Sequence, residues 1–127
     1  MSLQTRLAAL ITAVGADMKL VKTSLTSEAS NAAPVPTGFA QNNQHSITAQ
    51  AAGMTIGAPS GAAVNGNSLL IRIKDNGTAR AIAYNAIYRA VGVTLPTTTV
   101  VSKTLYLGAK YNSTDNKWDI IAVGQEA

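Results

Sequence analysis

The chain has 127 residues, no cysteine and a net charge of +4. This length allows about one compact domain with a short appendage, and the lack of cysteine excludes a disulfide framework and a thiolate metal site. Only 13% of the residues are charged and 5% are aromatic, so we expect a small core within one chain and further burial between subunits. The basic residues are dispersed along the chain, so we predict no nucleic-acid partner.

The first predicted element is an amphipathic helix from Ser2 to Thr26. Its apolar residues step by four and three positions and form one predicted seam: Leu7, Ile11, Val14, Met18, Val21 and Leu25. This is the spacing of a coiled-coil heptad, and β-branched residues at both a and d positions favour three or more strands over two. We therefore predict a homotrimer assembled through these helices, with a helix docked on its own domain as the alternative.

We predict that the protein has no membrane partner and that this N-terminal segment is not a cleaved signal peptide. No apolar stretch reaches the 18 or more residues of a membrane-spanning helix. The seam also continues through Asp17, Lys19 and Lys22, past the positions at which a signal peptide would be cleaved. We therefore expect the segment to be retained in the mature protein.

A linker rich in proline, alanine and serine, residues 27–44, is predicted next. Pro34, Pro36 and Gly38 stop a helix and favour an extended run. The linker marks a boundary between the helix, residues 1–26, and a β domain, residues 45–127. Composition leaves open whether it is a flexible tether or an ordered arm on a neighbouring subunit.

The β domain is predicted to be a small antiparallel β-sandwich of five to seven strands, similar to a jelly roll. The turn Asp75-Asn76-Gly77 predicts a hairpin. In its first strand, Leu69, Ile71 and Ile73 would lie on one face. In its second strand, Ala79, Ala81 and Ala83 would likewise share one face. A second hairpin is predicted between strands 103–111 and 117–123. No helical crossover separates the strands, so a nucleotide-binding α/β fold is disfavoured.

The sequence contains no recognisable catalytic motif, and we predict that the chain is not an enzyme. The segment 61–68 has the glycine spacing of a phosphate-binding loop, but Asn67 replaces the lysine and a strand follows, so we predict a turn. Ser46, His45 and Asp119 could form a hydrolase triad, yet no nucleophile-elbow sequence is present. We predict an exposed or capping His45, and no catalytic residue, metal or cofactor.

Five aromatic residues are predicted to be core or interface residues: Tyr84, Tyr88, Tyr106, Tyr111 and Trp118. With so few large side chains, the fold has few to spare for other uses. The alternative is a platform on which sugars or bases stack.

Several segments resemble a small β domain of tailed-bacteriophage fibre, head-fibre and decoration proteins. The resemblance covers about residues 46–126, and its most specific parts are Ile71 to Arg80, Leu95 to Thr99, and Tyr111-Asn112 followed by Lys117-Trp118-Asp119. LAALITAVGADMK, residues 7–19, is similar to the opening of many phage fibre proteins, where it precedes or forms a trimeric coiled coil. The resemblance carries no catalytic residues.

The resemblance implies a structural protein of the virion, assembled in the host cytoplasm. Its partners would be its own copies and phage capsid or tail proteins. We expect a homotrimeric capsid decoration protein or short head fibre. The alternative is a tail fibre or baseplate component that binds a host surface glycan. A depolymerase is not predicted, because depolymerising spikes usually need long repeated coils and this chain has no internal repeat.

Overall fold

A computed structural model describes residues 1–21 and 23–127, with side chains for residues 1–16 and 23–127. The described chain contains one helix followed by strands: α1 (Leu3–Val21), β1 (Thr23–Glu28), β2 (Asn42–Gln50), β3 (Met54–Ile56), β4 (Ser68–Asp75), β5 (Ile82–Tyr84), β6 (Tyr88–Ala90), β7 (Thr104–Asn112) and β8 (Lys117–Gln125). The prediction of a mainly β protein with an N-terminal helix is confirmed.

The strands form a six-stranded sheet in the order β1-β2-β4-β7-β8-β6 and a two-stranded sheet of β3 and β5. In the larger sheet β1–β2, β2–β4 and β6–β8 are parallel pairs, whereas β4–β7 and β7–β8 are antiparallel. The predicted antiparallel body is therefore wrong, and the sheet is mixed. The parallel pairs are joined by extended segments, such as residues 29–41 between β1 and β2, rather than by helices. The absence of helical crossovers in the sequence therefore did not exclude parallel pairing.

The hydrophobic core receives side chains from both sheets. In β4, Leu69, Ile71 and Ile73 are buried as predicted, and the residues between them lie on the opposite, more exposed face. We call the buried side of the six-stranded sheet its inner face and the other side its outer face. The core cluster consists of Ile47, Met54, Ile56, Leu69, Ile71, Ile73, Ile82, Tyr88, Leu105, Leu107, Ala109, Trp118 and Ile120.

The helix ends earlier than predicted. At its start Ser2 acts as the N-cap, since its Oγ accepts the N–H of Thr5 at 3.2 Å. The predicted extension to Thr26 is wrong, because β1 begins at Thr23. The sequence of β1 is rich in threonine and serine, which have low helix propensity, and as a strand it gains a six-residue parallel ladder with β2.

The predicted hairpin at the Asp75 turn does not form. β4 pairs with β2 and β7, whereas β5 pairs in parallel with β3. The Asp75 carboxylate accepts the N–H of Gly77 at 2.7 Å, the N–H of Ser102 at 3.0 Å and the hydroxyl of Thr99 at 2.6 Å. These bonds hold the turn against residues 99–102 and direct the chain to the second sheet.

The strand after this turn also has the opposite orientation to the one predicted. Ile82 is buried, whereas Ala79, Ala81 and Ala83 are exposed. The second predicted hairpin is confirmed, since β7 and β8 are antiparallel neighbours joined by a short turn.

The proline-rich segment is ordered and lies on its own chain. Three of its carbonyl oxygens accept N–H groups of the segment 55–60 at 2.8 to 2.9 Å, and the acceptor and donor pairs are Ala32 and Thr55, Pro34 and Gly57, and Pro36 and Ser60. Pro34 and Pro36 are buried. The segment is thus an arm beside β3, and the sheet begins at Thr23, before the predicted linker, rather than at residue 45.

Candidate functional site

The apolar side of α1 is the first candidate surface. Every side chain of residues 1–16 is exposed. Leu7, Ile11 and Val14 of the predicted seam are 52%, 63% and 46% exposed, and their spacing places them on one side of the helix. Most of the stability of such an amphipathic helix normally comes from packing of its apolar stripe against other groups.

Two further leucines belong to this stripe and were missed by the sequence analysis. Leu3 and Leu10 are exposed on α1, and with Leu7 and Val14 they repeat the heptad steps of four and three. The spacing of these four residues is visible in the sequence and could have identified them.

The C-terminal half of the predicted seam is not established as a helical seam. The side chains of Met18 and Val21 lie outside the described residues. Leu25 belongs to β1, so its assignment to a helical seam is wrong. It is 71% exposed and lies on the outer face of the larger sheet.

Leu25 lies at one side of an apolar groove on the outer face. Strand register aligns Leu25, Gln44, Leu70, Gly108 and Ala122 in one row across five strands. Ile121, at a bulge in β8, is 51% exposed beside this row. Because Gly108 has no side chain, the row leaves a groove of about 360 Å³.

The predicted aromatic residues divide between the core and the surface. Trp118 and Tyr88 are buried in the core, and Tyr84 and Tyr111 pack against it. Burial raises the pKa of Tyr84 to about 12. Tyr106 differs, because it is 36% exposed on the outer face.

Trp118 is closely covered by the arm. A Cβ added to Gly38 would approach Cζ2 of Trp118 to 2.9 Å, so only glycine fits at that position without a shift. On another side the ring of Tyr111 lies 5.3 Å from the Trp118 ring, measured between centroids. Trp118 therefore has a packing role, and its ring faces are not open to a ligand.

His45 is not exposed or capping, and that prediction is wrong. It is 5% exposed on β2, with Nδ1 2.8 Å from Oγ1 of Thr26 and Nε2 2.9 Å from Oε1 of Glu28. Both partners lie on β1, so His45 joins the edge strand to its neighbour. The considered triad is not assembled, since Ser46 points to the opposite face and Asp119 lies on β8.

A second polar cluster surrounds Arg89. Its guanidinium donates to both oxygens of Asp119, at 2.7 and 3.0 Å, and to Asp115 at 2.9 Å. The bond from Arg89 holds the pKa of Asp119 below its ordinary value, although burial opposes the shift. Two carboxylates that share one guanidinium are not the free facing pair that a glycosidase uses. Within residues 1–16 and 23–127, no group of three His, Cys, Asp or Glu side chains is placed to hold a metal ion.

The segment 61–68 has a structural role. Gly61 and Gly66 have positive φ angles of 81° and 87°, and the segment leads into β4 rather than into a helix. The side-chain amide of Asn67 is buried and donates to the carbonyl of Gly38 at 3.1 Å. This bond ties the turn to the arm.

Comparisons of the chain with protein-family models, with curated proteins and with solved structures found no match. Among the described residues, no helix has both the length and the apolarity that crossing a bilayer requires. A function for this chain has to be argued from its own surfaces, of which the stripe on α1 and the outer face are the two candidates.

Proposed function

We propose that this chain is a non-enzymatic structural protein of a tailed-bacteriophage virion, a homotrimer that serves as a capsid decoration protein or short head fibre. The observation that carries the proposal is the uncovered apolar stripe of α1, a helix of 19 residues. An isolated helix of that length is marginal in water, so association of three copies gives it the missing contacts. The resemblance to phage fibre and decoration proteins supplies the virion context.

In this proposal the helices form a short parallel coiled coil, and the β domains lie around the same three-fold axis. Leu25 follows the helix closely in sequence and is exposed, so the outer groove beside it faces a neighbouring subunit near the end of the coil. The two sheets share one core, which supports a small jelly-roll-like sandwich as the finer description of the body.

The role on a capsid is mechanical. A trimer matches three-fold and quasi-three-fold positions of an icosahedral shell. Each copy then needs only weak contacts with capsid proteins, because three linked contacts reinforce each other. Assembly takes place in the host cytoplasm, and the virion is the final location.

A second candidate function is a tail-fibre or baseplate component that binds a host surface glycan. The position of Tyr106 favours this function, because its ring is partly exposed on a sheet face. The guanidinium carbon of Arg72 lies over the ring, 5.4 Å from its centroid. Exposed aromatic rings beside polar side chains are common in sugar-binding sites.

The mass of the full chain in solution, measured by light scattering at several concentrations, tests the trimer. We expect three times the 13.1 kDa chain mass, and a stable monomer would overturn the proposal. The number of copies in purified particles then separates the two candidate functions. Hundreds of copies identify the capsid, and about a dozen identify the tail, because the two structures differ in symmetry.

A further inference from the structure

The outer face has a polar half next to its apolar groove. Register aligns Ser46, Arg72 and Tyr106 in one row and places Lys74 opposite Thr104 in the next. Beside Arg72 lies a second groove of about 220 Å³, lined by Ser46, Ile47, Thr48, Arg72, Lys74 and Thr104. The groove therefore combines two cationic side chains with three hydroxyl groups.

Arg72 is the side chain in this groove whose hydrogen-bonding capacity is unmet. Its Nε atom is buried and has no hydrogen-bond partner, and among the described residues no carboxylate lies within ion-pair distance of it. Arg89, in contrast, is paired with two carboxylates. A guanidinium that makes no hydrogen bond or ion pair with the described residues keeps its donors for an anion that enters the groove.

The surroundings hold Arg72 in place for a ligand. Its backbone is in β4, which is paired on both sides by β2 and β7. Its guanidinium lies over the ring of Tyr106, with the central carbon 5.4 Å from the centroid. A guanidinium fixed on a rigid strand binds a planar anion with little loss of entropy.

Lys74 contributes less uncompensated charge than Arg72. Its Nζ donates to the carbonyl of Ser102 at 2.8 Å and to Glu126 at 3.2 Å. Hydrogen bonds from Thr104 and Lys74 hold the pKa of Glu126 below its ordinary value, so this carboxylate is ionised at neutral pH. The groove thus has one uncompensated positive charge, on Arg72, and it is suited to a ligand with a single negative charge.

We propose that this groove binds a carboxylate-bearing sugar residue of an acidic polysaccharide. The carboxylate pairs with the guanidinium of Arg72, and hydroxyl groups of the sugar bond to the hydroxyls of Ser46 and Thr48. The groove is smaller than the roughly 300 to 1,000 Å³ of drug-sized pockets, so it holds one sugar unit, and the rest of the polymer leaves along the open face.

A hydroxyl-rich ligand fits this groove better than a carboxylate of a protein partner. Five of its six lining residues have polar side chains, two of them charged, and the neighbouring outer-face residue on β1 is Ser27. The centre of a protein interface, in contrast, is depleted in charge and rich in apolar groups. The proposal rests on the second candidate function and names its ligand class. It does not depend on a trimer.

Titration of the labelled full chain by NMR, following the Arg72 Nε–Hε resonance, tests the site. The probes are glucuronate, the neutral methyl ester of glucuronate, glucose and acetate. We expect a saturable shift with glucuronate and binding weaker by at least about tenfold for the other three, because only glucuronate offers both the carboxylate and the sugar hydroxyls. Equal binding of acetate would overturn the assignment of a sugar ligand and would indicate a carboxylate of a protein partner. The absence of a saturable shift with glucuronate would overturn the proposal that this groove is a binding site.

Three variants sharpen the test. Arg72→Gln should abolish glucuronate binding, and Arg72→Lys should weaken it at least about tenfold, because an ammonium group cannot form the bidentate pair. Lys110→Gln makes the same change of charge on β7 of the same sheet and should bind as the unaltered protein does. If it loses as much affinity as Arg72→Gln, the effect is one of general charge and the proposal fails.

Light scattering on the same samples separates this failure from failure of the proposed function. A trimer that binds no glucuronate would overturn the sugar site and leave the homotrimer standing. A monomer that binds glucuronate would overturn the homotrimer and leave the sugar site standing.

Discussion

The helix and the β body differ in where their stabilising contacts are found. In the body the side chains of both sheets meet in one core, and the arm, the Asp75 turn and His45 join distant parts of the chain. In α1 every described side chain is exposed, including five large apolar residues at positions 3, 7, 10, 11 and 14. The body is thus specified by contacts within one chain, whereas the described side chains of the helix are not buried by such contacts.

This difference explains why the two regions have different consequences for function. A body that is complete in itself can carry a binding surface whatever its neighbours are. In the proposed homotrimer, assembly is part of the folding of the helix, so the stability of the helix depends on protein concentration. Substitutions in the two regions should therefore change different observables.

The largest effect is expected from charges placed in the helix stripe. Replacing both Ile11 and Val14 with aspartate should dissociate the proposed trimer completely, since burying these charges in the proposed seam costs several kcal/mol. Sedimentation or light scattering measures the mass, and a denaturant melt of the same sample should show that the β body still unfolds cooperatively.

The matched control replaces Ala9 and Thr12, which have the same spacing on the opposite side of α1, with aspartate. This variant should remain a trimer. If the Ile11 and Val14 variant also sediments as a trimer, the coiled coil is not the basis of assembly.

The next largest effect is expected in the core of the body. Trp118→Ala should lower the free energy of unfolding by about 3 to 5 kcal/mol, because Trp118 is 1% exposed and the arm and Tyr111 pack against it. Denaturant unfolding followed by circular dichroism measures the change. Tyr106→Ala, which removes an aromatic ring from the outer face, is the control and should cost much less. Equal losses in the two variants would contradict the core role of Trp118.

A smaller and pH-dependent effect is expected at Asp75. Burial raises the pKa of this carboxyl, but bonds from Thr99, Ser102 and Gly77 and the charge of Arg80 outweigh burial and lower it. A lowered folded-state pKa means that the ionised group stabilises the fold above the ordinary aspartate pKa and loses this effect as the pH falls below it.

Asp75→Asn should therefore lower the free energy of unfolding by about 1.5 to 3 kcal/mol at pH 7. The difference from the unaltered protein should shrink as the pH is lowered through the acid range. Asp115→Asn removes an exposed carboxylate and is the control. A difference that grows toward low pH would show that the Asp75 charge does not stabilise the turn.

Local sequence patterns predicted the elements that depend on neighbouring residues. The alternation of β4, the start of α1 beside the predicted Ser2 and the hairpin of β7 and β8 depend on residues close together in the sequence. The helix end was misjudged because a heptad pattern that included Leu25 continued into residues whose pairing with β2 outweighs it.

The rest of the fold depends on contacts between residues that are distant in sequence. The parallel pairs, the burial of His45 against β1 and the bonds of Asp75 to residues 99–102 join segments that no local pattern relates. From the sequence, Tyr106 was predicted to be a core or interface residue, and only the strand register places it beside Arg72 on an open face.

The arm that contains Pro34 and Pro36 has a consequence for the cost of folding. A parallel pair such as β1 and β2 requires a long connection, here residues 29–41, and ordering so many residues loses conformational entropy. Each proline ring already restricts its own φ and the residue before it in the unfolded chain, so less freedom remains to be lost. Ordering the arm therefore costs less entropy than ordering a connection of the same length without proline, and that saving adds to the stability with which the strand that follows the helix is joined to the body.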